Sequence, residues 1–193
     1  MTTELGLRER KRQSTRQRIV DAGLRLFLEK GIEATTLDDI AAAADISRRT
    51  FFAYFPAKED IVLAWQDGAD EAMRGAVIAA APGREPLEAV QAALVGLAPM
   101  FANHNFMMLD GLMRSTETLK AKKERHFEHQ TQGLYRLLTE LYPDPARRKG
   151  LQIVAMVSIG CLKIAVEAWL SEGGRRPIVE CLDEAFAALK TEI

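Results

Sequence analysis

Residues 36–55 read TLDDIAAAADISRRTFFAYF, and the fold turns on this stretch. Thr36 can cap a helix start, and Asp38 and Asp39 follow in the first turn, where carboxylates meet the positive end of the helix dipole. Ile40 and the alanines after it give a short helix over about residues 37–43. Asp45, Ile46 and Ser47 break the pattern, and Ser47 is placed to cap a third helix running to about Tyr54. Ile46 just before that cap and Phe51 inside the helix form a hydrophobic staple, which fixes the angle of entry. Two short helices joined by about three residues, the second oriented by a cap and a staple, make a helix-turn-helix.

Upstream, Ile19, Ala22, Leu26 and Phe27 recur at helical spacing from Thr15 to Gly31, a helix-ending residue. Before this helix lies a basic arm: Arg8, Arg10, Lys11, Arg12, Arg16 and Arg18 stand against Glu9 alone. Such a run is either a solvated tail or a contact to phosphate or the minor groove, since clustered Arg and Lys displace the counterions that sheathe nucleic acid. Downstream, Pro56 stops the third helix and a longer one runs from Lys58 to about Ala80. After the Ala81–Pro86 loop come a helix carrying Leu87, Val90, Leu94 and Leu97, then an apolar, irregular stretch over 100–114. Helices over about 115–141, 146–170 and 177–192 complete the chain. No alternating run suggests a strand, so the reading is all-α with about nine helices.

Helix three carries the chemistry. At ~100° per residue Phe51 and Phe55 share an inner face, while Arg49, Thr50, Phe52 and Ala53 point broadly away. Arg48 and Arg49 at its N-terminal end can pair with guanine, Thr50 and Phe52 can touch a thymine methyl, and Ser47 or Tyr54 can hydrogen-bond phosphate.

Residues 15–62 resemble the DNA-binding domain of the TetR family of transcriptional regulators. The resemblance rests on Thr15 to Ile19, Ala22 through Leu26-Phe27, Gly31, Thr35-Thr36, Asp39-Ile40-Ala41, Ala44 to Ser47, Thr50-Phe51-Phe52, Tyr54-Phe55 and Lys58-Glu59. It implies a DNA-binding domain at 13–73 (helix-turn-helix 36–55) and a regulatory, ligand-binding and dimerisation domain at 74–193. Carried over by position, contacts to bases and phosphates fall on Arg48, Arg49, Thr50, Phe52, Tyr54 and Lys58, with Thr36 on phosphate and Ser47 and the arm residues Arg10, Arg12 and Arg16 alongside. Arg49 stands where the family commonly has a small residue, and Phe52 where Tyr is usual. These departures change the preferred base and remove one phosphate hydrogen bond.

In the regulatory half, the helix over 146–170 is apolar nearly all round, from Leu151 and Ile153 to Leu162, Ile164 and Trp169. A helix of that kind needs cover on both sides, and a partner subunit is the natural second cover. The resemblance implies a dimer through the last two helices, so Ser158, Leu162, Trp169, Leu182 and Phe186 are the expected interface. Met100, Met107, Met108 and Met113 gather with Phe101, Phe106 and Trp65; a Met-rich lining suits either core filling or an adaptable pocket. The resemblance favours a pocket for a small effector, with His104, Asn103, Asn105, Asp110 and Arg114 as orienting polar groups.

The remaining features exclude rather than assign. The 193-residue chain has 48% hydrophobic and 27% charged residues and a net charge of −1, which suits a soluble globular protein. Cys161 and Cys181 suit a reducing cytoplasm and read as small buried apolar residues. No secretory pattern opens the chain, and the uncharged run Ile153–Leu162 is short of the ~20 residues that span a bilayer, so no membrane partner is expected. His126 and His129 among Lys120, Lys122, Lys123 and Arg125 read as a solvated helix face, and neither metal nor cofactor is expected. No phosphate loop or nucleophile signature supports an enzyme. The expected function is a homodimeric repressor that binds a palindromic operator and is released by a small apolar or amphipathic effector. The alternatives are an activator, an effector-independent DNA binder and, more remotely, an enzyme using the Met-rich cavity.

Overall fold

The computed structural model describes the backbone of residues 2–101, 104–114 and 117–192, with side chains except at 2–5, 7, 63, 65–67, 100, 101, 104, 105 and 118. Within the described residues the chain is helical, with no strand. The α-helices are α1 (Thr2–Lys30), α2 (Leu37–Ala43), α3 (Arg48–Phe52), α4 (Asp60–Ala80), α5 (Pro86–Phe101), α6 (His104–Met113), α7 (Glu117–Leu141), α8 (Arg148–Ser171) and α9 (Ile178–Glu192), with a 3-10 turn at Pro145–Arg147 before α8. Contacts group them into two units, residues 1–68 and 69–193. This division and the expected boundary at 73/74 both fall inside α4.

The first unit is built on α1 to α3 and the start of α4. Ile19, Val20, Phe27, Ile40, Phe51, Phe55, Ile61 and Val62 are buried in it. Gly23 is where α4 presses on α1, since a Cβ there would lie 2.5 Å from Ile61 Cδ1. The basic stretch is not an arm before the helix: α1 already starts at Thr2 and carries all six cations. Arg, Lys, Glu and Gln are good helix formers, no proline interrupts them, and Arg10 Nε donates to the Gly6 carbonyl one turn back.

In the second unit α8 is the central helix, packed against α5, α7 and α9. Leu151, Ala155, Ile159, Ala165 and Trp169 face a core shared with Val90, Leu94, Leu134, Leu138, Leu182 and Phe186. The stretch read as irregular folds for residues 104–113 as α6. Its Phe106, Leu109, Asp110 and Met113 fall at helical spacing and point inward, which outweighs the cost of Gly111. Residues Pro145–Ser171 form a helix long and apolar enough, by length and composition alone, to cross a membrane, a property the uncharged run length did not reveal. One face of this helix is nonetheless packed into the bundle, and Lys163 on its flank pairs with Glu124 of α7.

Candidate nucleic-acid interface

The turn between α2 and α3 is short because one set of residues closes one helix and opens the next. The Ile46 N–H donates to the Ala41 carbonyl (2.9 Å) and the Asp45 N–H to the Ala42 carbonyl (3.2 Å), the paired bonds that close a helix through a left-handed residue. That residue is Asp45, at φ 53°, a conformation Asp tolerates better than most. Ile46 then immediately precedes Ser47, whose hydroxyl accepts the Thr50 N–H (3.1 Å) and caps α3. Phe51 is fully buried beneath the helix and meets Phe55 at 5.9 Å.

The opposite face is open. Phe52 is 51% exposed, its ring edge-on to Phe51 at 5.7 Å. Arg49 is exposed with no hydrogen bond or ion pair among the described residues, and Arg48 makes only a 3.6 Å pair with Asp38, both ends solvated. The Thr50 hydroxyl is 2.9 Å from that of Ser47, and Tyr54 is half-buried. α3 therefore offers two guanidinium groups and a ring on one surface, held by a cap below and a buried ring behind. Of the arm residues, Arg10 and Arg12 are exposed on α1, while the Arg16 guanidinium lies over the Phe55 ring at 5.4 Å.

Thr36 begins α2 in a full capping box. Its hydroxyl accepts the Asp39 N–H (3.1 Å), and Asp39 Oδ2 accepts the Thr36 N–H (2.8 Å). Lys30 Nζ reaches the same oxygen at 2.7 Å. The Lys30 ammonium, followed by the Thr36 backbone and hydroxyl, holds the Asp39 carboxyl well below the usual carboxylate range. Lys58 is not a free surface cation: its ammonium donates to the Ile32 and Thr35 carbonyls at 2.7 and 2.8 Å.

The expected interface residues lie in the second unit. Ser158, Trp169, Leu182 and Phe186 are buried within this chain's own core, and Leu162 is half-buried. The Trp169 indole N–H donates to the Arg176 carbonyl (2.9 Å) and its ring meets Phe106 edge-on. The apolar residues that α8 leaves outside are Ile153, Met156 and Ile164, at 57%, 57% and 61% exposure. At ~100° per residue they share one face with Gly160, where a Cβ would meet nothing. Beside it, Pro86, Leu87, Gly150, Leu151 and Val154 line an open cleft of about 320 Å³.

Of the expected pocket residues, Trp65, Phe101 and His104, with the polar Asn103 and Asn105, lie outside the described side chains. Met113 is buried, Met108 exposed, and Met107 packs on Gly174 in the turn after α8. Asp110 is buried between two cations, with Arg114 Nε at 2.6 Å and Lys123 Nζ at 2.5 Å. The α7 face read as solvated is only partly so. His129 is exposed, but Lys123 and His126 are 14% and 13% exposed. On α4, Asp70 accepts the Gln130 amide at 2.6 Å and lies 3.5 Å from His126 Nε2. This polar inner stripe of Lys123, His126 and Gln130 was missed, although it continues the spacing of Leu119, Leu134 and Leu137 along the same helix. Burial raises both thiols, Cys161 and Cys181, consistent with inert buried groups.

Residues 19–65 match the family of bacterial regulatory proteins designated tetR. The regulator TcmR of Streptomyces glaucescens is 40% identical over 88 residues, covering 46% of this chain and 39% of that protein. The chain thus spans about two fifths of that curated relative. Two solved structures cover far more. FadR of Thermus thermophilus, a TetR-family transcriptional repressor in complex with lauroyl-CoA, is 26% identical over 90% of this chain and 92% of its own, with a TM-score of 0.63. FadR of Bacillus subtilis in complex with stearoyl-CoA is 19% identical over 92% and 98%, with a TM-score of 0.65. The tetR-family model covers the helix-turn-helix head alone, and that head, the all-helical fold and these matches together point to a TetR-family transcriptional regulator.

Proposed function

We propose that this regulator is a homodimeric repressor whose two heads enter successive major grooves of a near-palindromic operator, and that an amphipathic effector releases it. The observation that carries the reading is the outer face of α3, where Arg49 is exposed beside a half-exposed Phe52. Arg49 and Arg48 read guanine edges, Thr50 and Phe52 pack on thymine methyls or sugar, and Thr36, Ser47 and Tyr54 hold phosphate. Arg10 and Arg12 on the extended α1 add sequence-independent contacts. The two heads must sit about 34–36 Å apart, one turn of DNA, to bind together.

Dimerisation through the Ile153, Met156 and Ile164 face of α8 supplies that spacing and gives α8 its second cover. Such a protein works in the cytoplasm, with DNA, its own copy and the effector as partners. The effector class we propose is a long acyl chain bearing an anionic head; the lauroyl-CoA held by the Thermus thermophilus FadR and the Met-rich α6 of this chain support it. It acts by preferring a conformation whose head spacing does not fit the operator, and its differential affinity limits the shift.

The test is a duplex pool with a random central segment, selected with the wild-type protein and measured by fluorescence anisotropy at fixed salt. Enrichment of a two-fold symmetric sequence bound by two subunits, and its release by lauroyl-CoA but not by free CoA, is the expected result. Enrichment of no sequence over random DNA refutes specific reading; release by neither compound refutes the effector class.

A further inference from the structure

Lys58 stands at the position the family uses for a phosphate contact, yet its ammonium is already engaged inside the head. Two of its three N–H groups go to the carbonyls of Ile32 and Thr35, at 2.7 and 2.8 Å, from a part-buried site. These carbonyls belong to the turn joining α1 to α2, and the turn is fastened from other sides as well. Thr35 is fully buried, and its hydroxyl lies 2.7 Å from the Gly31 carbonyl and 3.3 Å from that of Leu26. Gly31 leaves α1 at φ 82°, a conformation that favours glycine. Lys30 ties the end of α1 to Asp39, and Asp39 closes the capping box on Thr36. The residue next to the clamped Thr35 carbonyl is thus the exposed Thr36, the side chain assigned to phosphate.

We propose that Lys58 is a positioning residue: it clamps the Ile32–Thr35 turn and thereby fixes where Thr36 meets the DNA backbone, rather than holding a phosphate itself. This rests on the reading of the head as a DNA-binding surface. A single ammonium nitrogen satisfies two converging carbonyls, whereas a planar guanidinium spreads its donors over a fork and does not fit the same seat. A phosphate anchor would behave in the opposite way, because Arg binds phosphate at least as well as Lys.

The experiment compares Lys58→Met, Lys58→Arg and Thr36→Val, singly and as the Lys58→Met/Thr36→Val pair, on the duplex selected by the wild-type protein. All measurements are made well below each variant's melting temperature. Each Lys58 variant should weaken binding by about tenfold or more, the scale of a lost hydrogen bond from a charged group. Thr36→Val should cost much less in the Lys58→Met background than in the wild type, since Thr36 is already misplaced there. Hydrogen exchange without DNA should quicken at residues 32–36 in both Lys58 variants, while the buried segments of α1 and α4 keep their protection. Wild-type affinity in Lys58→Arg, an undiminished cost of Thr36→Val, or unchanged exchange at 32–36 would each overturn the clamp. If no duplex is enriched, it is the DNA-binding reading that fails, and the exchange experiment still decides the clamp.

Discussion

Ile164→Glu places a carboxylate at the C-terminal end of the apolar face that α8 turns outward. Ile153, Met156 and Ile164 are each a little over half exposed in the single chain, so burying the rest of each in a dimer is worth about 1–2 kcal/mol, half or more of the ~1.5–3 kcal/mol for a whole side chain. In a two-fold dimer one substitution acts twice, and losing both Ile164 side chains removes about 2–4 kcal/mol, a roughly 30- to 1000-fold weaker dimer. The protomer should not suffer, because an exposed side chain is being replaced and surface changes usually stay within about 0.5 kcal/mol. Sedimentation velocity from sub-micromolar to tens of micromolar protein reads the equilibrium directly, with circular dichroism melting as the control on folding. A variant that melts at lower temperature in proportion to its dissociation, but keeps its helical spectrum as a monomer, is the expected result. A dimer with unchanged dissociation constant would refute the assignment of this face.

The neighbouring rings Phe51 and Phe52 should separate stability from binding. Phe51→Ala empties a fully buried site and should cost about 3–5 kcal/mol in chemical denaturation. Phe52→Ala should leave the melt nearly unchanged while weakening the selected duplex; equal melts for the two variants would contradict the packing of α3. Arg49→Ala should lose about 1–3 kcal/mol on the selected duplex by anisotropy and little on random DNA, whereas equal losses on both would count against base reading. Asp39 sets an acid limit on the head. Its carboxyl is depressed by Lys30 and the Thr36 cap, so its stabilisation is complete above the ordinary value of about 3.9 and is lost as pH falls toward the lower folded value. The melting temperatures of wild type and Asp39→Asn should therefore converge on acidification below about pH 4, and a constant gap down the acid range would remove Asp39 as the cause.

The head was legible because its determinants are local. The caps at Thr36 and Ser47 and the left-handed Asp45 sit within the twelve residues from Thr36 to Ser47, and each acts on neighbours in the chain. Hence α2 has its expected bounds and Ser47 caps α3 as read. The errors there concern what local pattern does not encode. The basic stretch reads as an arm because charge suggests solvent, yet nothing in it breaks a helix, and α1 continues through it to Thr2. Lys58 reads as a surface cation because its two carbonyl partners lie 26 and 23 residues earlier.

In the second unit the same reasoning gave helices but not faces. The all-round apolar character of α8 required two covers, and the chain supplies one of them; which residues are left for the other depends on how α5, α7 and α9 share its circumference. That is why Trp169 and Phe186, large and apolar, went inward while Ile153 and Ile164 stayed outside. The polar stripe of α7 shows the limit more sharply. Lys123, His126 and Gln130 occupy the same helical face as Leu119 and Leu134, so their inward direction follows from spacing, but an inward cation is stable only against an anion. Those anions are Asp70 and Asp110, on two other helices, 13 to 60 residues away. Helical period locates such residues on the inner face; only the tertiary pairing tells that they belong there, and it is this pairing, not the apolar pattern, that distinguishes the interior of the second unit from a plain helical bundle.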